Sequence, residues 1–260
     1  MIAKKSLGQY FLIAPHTIEK TVAAARITKN DIVLEIGPGN GALTKELLMC
    51  AKKVIAIEKD WELVEKLKET FKEDIKNKKL ELFHDDILKC DFSTFPITNG
   101  SYKVVANIPY YITGILIRTL LTNTIQPNTV VLIVQKEIAE RIARETKESI
   151  LSLSVKAYGT PQYIGTIKPG AFRPSPKVDS AILLITDISR DFFKNISEET
   201  FFTAIKTGFS SKRKQVLNNL EKIKDRKELS QIFEKLSIDL KIRAEDIPLK
   251  TWKEITYHLD

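Results

Sequence analysis

Ile32-Val33-Leu34-Glu35-Ile36-Gly37-Pro38-Gly39-Asn40-Gly41 decides the fold. A short apolar, β-branched run leads directly into glycines at 37, 39 and 41. The run predicts a buried strand, and the glycines predict a turn that lets a ligand approach the backbone. Helical spacing over Ala42–Leu48 follows at once, so the turn opens onto a helix start with free amide groups. Strand, glycine turn and helix form the first step of a mostly parallel sheet covered by helices.

The same alternation continues downstream. Val54–Glu58, Leu80–His84, Tyr102–Asn107 and Thr129–Gln135 read as buried strands. Trp61–Phe71, Ile115–Leu121 and Glu137–Arg144 have helical spacing between or after them. The pattern then changes: Tyr163–Ile167 and Val178–Thr186 read as two strands joined by a Pro-rich loop, which predicts an antiparallel hairpin at the sheet edge. From Ile188 onward only amphipathic helices are expected, over Glu198–Phe209, Arg213–Ile223, Lys227–Leu236 and Lys250–Leu259. The fold class is therefore α/β: a seven-stranded Rossmann-like sheet over residues 1–187, followed by a small all-helical domain over 188–260.

Composition bounds the function. The 260 residues suit one large domain with a small appendage, and 43% hydrophobic residues leave ample material for a core. A net charge of +8 favours an anionic partner without specifying one. Cys50 and Cys90 are far apart, and His16, His84 and His258 are isolated, so neither a disulfide framework nor a metal site is expected. No apolar run is long enough to span a membrane, and no signal-peptide core opens the chain. A soluble protein in the reducing cytoplasm is expected.

Five stretches carry chemistry. In the first, Gly37, Gly39 and Gly41 are followed by Glu58 at the next strand end, where a carboxylate can accept from both hydroxyls of a ribose. The turn alone fits nicotinamide dinucleotides and S-adenosylmethionine equally. Glu35, just before the first glycine, tilts the reading toward the cationic methionine end of the latter. In the second, Asp86 after the third strand can accept from an adenine amino group while Ile87 covers the ring.

The third stretch is Asn107-Ile108-Pro109-Tyr110. The Asn107 side-chain oxygen and the Ile108 carbonyl can hold the hydrogens of an exocyclic amine, Pro109 stiffens the turn, and Tyr110 offers a stacking face. That combination suits methyl transfer to an adenine amino group, where positioning does most of the work. In the fourth, Phe172-Arg173-Pro174-Ser175-Pro176-Lys177, Phe172 can clamp the other face of the base while Arg173 and Lys177 reach phosphates. The fifth, Lys212-Arg213-Lys214, is read as opening a helix and contacting RNA phosphates; Lys4 and Lys5 give the N-terminus the same character.

These motifs, in this order, resemble the small-subunit ribosomal RNA adenine N6,N6-dimethyltransferase family from residue 4 essentially to the C-terminus. The carrying residues are Leu7 through Leu12, Glu35 through Gly41, Asn107 through Tyr110, Phe172 through Ala181, and Lys212-Arg213-Lys214 with Leu217 through Leu220. The resemblance implies S-adenosylmethionine as methyl donor, touching Tyr10, Leu12, Gly37, Glu58, Asp86 and Asn107. It implies two adjacent adenosines near the 3′ end of small-subunit rRNA as substrate, each methylated twice, within a pre-ribosomal particle. Tyr110 and Phe172 would stack on the target base, swung out of its neighbours' stack, and the enzyme would act as a monomer. Three positions depart from the family pattern: Tyr10 stands where Asn is usual, Tyr111 replaces an Asn, and Ile150-Leu151 replaces Tyr-Gly. Two alternatives remain open. One is the large-subunit rRNA adenine methyltransferases of macrolide resistance, and the other is a non-catalytic nucleic-acid-binding factor on the same scaffold.

Overall fold

A computed structural model describes residue 4 and residues 8–260. The chain forms two compact units, residues 1–140 with 160–188 and residues 141–159 with 189–260. The sequence suggests a single boundary between 187 and 188, whereas the second unit takes in 141–159 and resumes at Ser189.

The first unit opens with β1 (Phe11–Leu12) and α1 (Pro15–Ala24). The expected alternation follows: β2 (Ile32–Ile36), α2 (Ala42–Cys50), β3 (Lys53–Glu58), α3 (Trp61–Thr70), α4 (Lys72–Lys76), β4 (Leu80–His84), β5 (Tyr102–Asn107), α5 (Thr113–Thr122), β6 (Thr129–Gln135) and α6 (Lys136–Ala143). After α7 (Ile150–Tyr158) come β7 (Thr160–Ile167), β8 (Phe172–Arg173) and β9 (Ser180–Thr186). The seven-stranded sheet runs β4-β3-β2-β5-β6-β9-β7. β9 pairs antiparallel with both β6 and β7, and the remaining pairs are parallel.

Consecutive strand residues are buried because helices cover both faces of such a sheet. Val33 and Leu34, Val104 and Val105, and Val131 and Leu132 have no exposed surface. One face gathers Val33, Val105, Val131 and Ile182 into a buried cluster with Ile18 and Val22 of α1 and Leu47 of α2. The chain leaves β2 toward β3 and returns to add β5 on the other side, so the connections diverge between β2 and β5. Ligands of open α/β sheets bind at the carboxyl ends of strands beside such a divergence.

In the second unit, α7 is joined by α8 (Glu198–Gly208), α9 (Val216–Leu220), α10 (Arg226–Lys235) and α11 (Leu249–Leu259). Phe201, Phe233 and Trp252 are fully buried at the centre of its own core. The helix expected over Arg213–Ile223 is shortened to the five residues of α9. Lys212, Arg213 and Lys214 lie in an exposed turn before it rather than on a helix. The physical reason is Asn219: its buried Nδ2 donates to the carbonyls of Gly208 (2.6 Å) and Ser211 (3.2 Å) and pins the turn that follows α8.

Candidate active site

Parallel pairing brings the ends of β2, β3 and β5 level, with Ile36 opposite both Ile57 and Ala106. Glu58 and Asn107 are the last residues of β3 and β5, and the glycine turn begins after Ile36. Tyr10, Leu12, Glu35, Gly37, Gly39, Glu58, Asp86, Ile87, Asn107 and Pro109 all line one cleft there.

The turn is held by backbone chemistry. Gly39 has φ of 59°, and a Cβ on it would come 3.0 Å from the Phe11 ring. Its N–H donates to Glu58 Oε2 at 3.1 Å, while Glu58 Oε1 accepts from the Asp60 N–H at 2.8 Å. Burial pushes the Glu58 carboxyl above its ordinary value, and these amides work against the shift. Gly41 caps α2 at φ of 79°, with its missing Cβ replaced by the edge of the Phe71 ring.

Glu35 is 1% exposed, and neither carboxylate oxygen has a hydrogen-bond partner among the described residues. The Thr44 hydroxyl, also unpartnered, lies near enough to pull its pKa down without being aligned to bond. Burial dominates, helped by the Glu58 charge, and the Glu35 carboxyl is pushed up to about 8. On the opposite side, the Lys59 ammonium lies 2.9 Å from Asp86 Oδ2 and holds that carboxyl below its ordinary value. Asp86 Oδ1 accepts from the Leu88 N–H, and Ile87 is buried against the cleft.

Asn107 Nδ2 donates to the Tyr10 carbonyl at 2.8 Å. With the donor end committed, Oδ1 is the end that can accept from an amine. Pro109, at φ −57°, turns the chain away, and Ile108 is buried in the cleft lining. The Tyr110 hydroxyl bonds Ser180 Oγ at 2.7 Å, which fixes the ring. Burial raises the Tyr110 phenol above its ordinary value, so it stays a neutral hydroxyl.

Tyr110 has a ring partner, but it is Tyr10, at 5.6 Å and 26°, and not Phe172. Phe172 is 3% exposed and absent from the cleft lining. β8 pairs antiparallel with β1, setting Leu12 opposite Phe172 and drawing both into the core. Arg173 and Lys177 are exposed on the same loop. Lys4 is half-exposed, with Nζ 2.8 Å from Asp60 and 3.1 Å from Glu62, and Lys5 lies outside the described residues. Gln9 Nε2 also bonds Asp60, at 3.0 Å. Sequence reasoning misses Gln9, Lys59, Asp60 and Ser180 as site residues. A signal exists for Gln9 and Ser180, which stand inside the motifs around Leu7–Leu12 and Phe172–Ala181. Among the described residues no cluster could hold a metal ion, and no helix is long and apolar enough to cross a membrane.

An acid–glycine turn at one strand end and Asn-Ile-Pro-Tyr at the neighbouring end, on a sheet of this order, define a Rossmann-like methyltransferase. The chain belongs to the ribosomal RNA adenine dimethylase family, whose model matches residues 2–260. A ribosomal RNA small subunit methyltransferase A from Dehalococcoides mccartyi is 38% identical over 97% of this chain and 87% of its own length. One of the same description from Clostridium botulinum is 37% identical over 97% and 92%. A dimethyladenosine transferase from Plasmodium falciparum superposes with a TM-score of 0.80 at 28% identity, covering 94% of this chain and 95% of that one. The 23S rRNA methyltransferase ErmE shares the fold, with a TM-score of 0.78 at 22% identity over 96% and 99%.

Proposed function

We propose that this enzyme uses S-adenosylmethionine to dimethylate N6 of two adjacent adenosines near the 3′ end of small-subunit rRNA. It acts as a monomer on a pre-ribosomal particle in the cytoplasm. The observation that carries this reading is Asn107: its amide is oriented with Oδ1 as acceptor, and it lines the same cleft as the glycine turn and Glu58.

Glu35 favours S-adenosylmethionine over a nicotinamide dinucleotide. Its buried carboxyl has no partner among the described residues, and a cationic methionine end would expel its proton and pair with the carboxylate. Glu58 would hold the ribose, with Asp86 and Ile87 at the adenine. When bound, the cofactor supplies an electrophilic methyl on a sulfonium. The protein's part is to position the amine. Asn107 Oδ1 and the Ile108 carbonyl accept its hydrogens, which turns the N6 lone pair out of conjugation with the ring. The N6 proton becomes acidic as the new bond forms and passes to water, so no strong base is needed. Tyr110 and the loop bearing Phe172 hold the base, and Arg173, Lys177 and Lys212-Arg213-Lys214 meet phosphates. Relatives named for the small subunit, at 37–39% identity, favour that substrate over the large-subunit one.

The test is to incubate the protein with labelled S-adenosylmethionine and small subunits from a methylation-deficient host. N6,N6-dimethyladenosine in the rRNA digest, lost in Asn107→Ala, is expected. Tight rRNA binding without any methylated product would overturn the reading in favour of a non-catalytic factor.

A further inference from the structure

Asn107 holds Tyr10 by its backbone, and Tyr110 is covered by Tyr10's ring. The ring centroids are 5.6 Å apart and the planes differ by 26°, a stacked pair. Two flat groups on either side of a base must stand about 7 Å apart, so no base fits between these rings as they lie. Tyr10 lines the cleft and Tyr110 does not. A base approaching Asn107 through the cleft therefore meets Tyr10 first. The Tyr110 hydroxyl bonds Ser180 Oγ at 2.7 Å, which favours this orientation of the ring.

We propose that the Tyr10 ring stands in for the substrate base on Tyr110 and gates the base site, so that only a base stacking better than a phenol displaces it. This rests on the base-methylating reading above. The Tyr10 carbonyl is anchored by Asn107 Nδ2 at 2.8 Å, so the ring can leave by a change of rotamer while the backbone stays. The gate also makes chemical sense. A methyl donor beside an open acceptor site is exposed to water and to stray nucleophiles, and neither can displace a stacked ring. An adenine can, because it offers Tyr110 a larger π-face and gives its amine to Asn107.

The test uses small subunits reconstituted from rRNA with 8-vinyladenosine, a fluorescent adenine analogue that keeps the 6-amino group, at one target position. Stacking against Tyr110 quenches its fluorescence. Tyr10→Ala removes the ring but keeps the carbonyl, so the base should enter more readily: half-maximal quenching is expected at roughly three- to tenfold lower protein concentration. Tyr10→Phe keeps the gate and should match wild type. Far-UV circular dichroism and thermal melting report that each variant is folded. Unchanged or weaker quenching in Tyr10→Ala, or Tyr10→Phe behaving like Tyr10→Ala, would overturn the gate. If wild type itself gave no quenching on binding, the base-flipping reading would fail instead, and the two failures are thereby distinct.

Discussion

Asn107 and Tyr10, 97 positions apart in sequence, are joined by a 2.8 Å bond from the Asn107 side-chain nitrogen to the Tyr10 carbonyl. The bond ties the N-terminal segment to the turn that receives the substrate amine, and it decides which end of the amide faces the cleft. Asn107→Asp tests this more sharply than truncation does. The aspartate keeps the shape and gains acceptor strength, but it has no N–H for Tyr10 and sets a carboxylate against a carbonyl oxygen. Single-turnover methyl transfer should fall at least about a hundredfold, equivalent to roughly 2.7 kcal/mol of barrier. Cofactor affinity should fall far less. A near-normal rate would show that the Tyr10 bond does not orient the amide.

Glu35 predicts a pH dependence of stability. Its carboxyl titrates near 8 in the folded protein, against an ordinary value of 4.5. Between those values the folded chain holds a proton that the unfolded chain has released. Stability of the cofactor-free protein should therefore fall as pH rises through this window, with a limiting slope of roughly 1.4 kcal/mol per pH unit. Glu35→Gln should flatten the slope in denaturant titrations at several pH values. Glu58, shifted in the same direction, should leave a shallower remainder. A positively charged ligand beside Glu35 should expel the proton, so cofactor affinity should rise with pH toward 8 in the wild type only. An identical slope in Glu35→Gln would locate the effect elsewhere.

What the sequence made legible follows from physics that repeats along the chain. β6 is covered on both faces, so Val130–Val134 is an unbroken apolar run that can be read without partners, while β2 and β5 keep shorter runs, Ile32–Leu34 and Val104–Ala106, beside Glu35 and Lys103. β1 and β8 have two residues each and no periodicity; their pairing is a tertiary event between residues 11 and 173. That pairing is what takes Phe172 out of the cleft. α7 is not among the expected helices; its local signal, the reciprocal capping of Ser149 and Ser152, is weaker than the usual box because Ser replaces Glu or Gln. The Arg213–Ile223 stretch has helical spacing, yet Asn219 spends its side chain on the carbonyls of Gly208 and Ser211 and holds a turn instead. The cleft-lining residues stand at strand ends and are readable; the bonds that orient them, Asn107 to Tyr10 and Tyr110 to Ser180, join segments distant in sequence and are not.

Phe172 gives a prediction that separates packing from stacking. Its ring is buried with Leu12 in the core of the first unit. Phe172→Ala should destabilise the protein by about 3–5 kcal/mol and loosen β1, which carries the chain on from Tyr10. Phe172→Leu refills most of the space and should retain more than about a tenth of wild-type methyl transfer at saturating substrate, a loss under roughly 1.4 kcal/mol. Tyr110→Leu should lose nearly all activity while remaining folded. If Phe172→Leu were folded and as inactive as Tyr110→Leu, a direct base contact by Phe172 would have to form in the complex.

The turn bearing Lys212, Arg213 and Lys214 separates charge from shape. All three side chains are exposed, and the turn is pinned from below by the buried Asn219. Replacing the three by Ala should weaken rRNA binding and reduce its salt dependence by about 0.7–0.9 of a log–log unit for each phosphate no longer neutralised. Asn219→Ala leaves every charge in place but strips a donor from two carbonyls, at a cost of roughly 1–3 kcal/mol in stability. Binding should weaken there too, because a mobile turn must be ordered on docking, yet the salt slope should stay at the wild-type value. Filter binding of small-subunit rRNA across a salt series measures both quantities in the same experiment. A triple variant with an unaltered slope would mean that these cations face solvent in the complex. A slope that fell in Asn219→Ala would mean that the turn's shape, not only its charge, decides how many phosphates it meets.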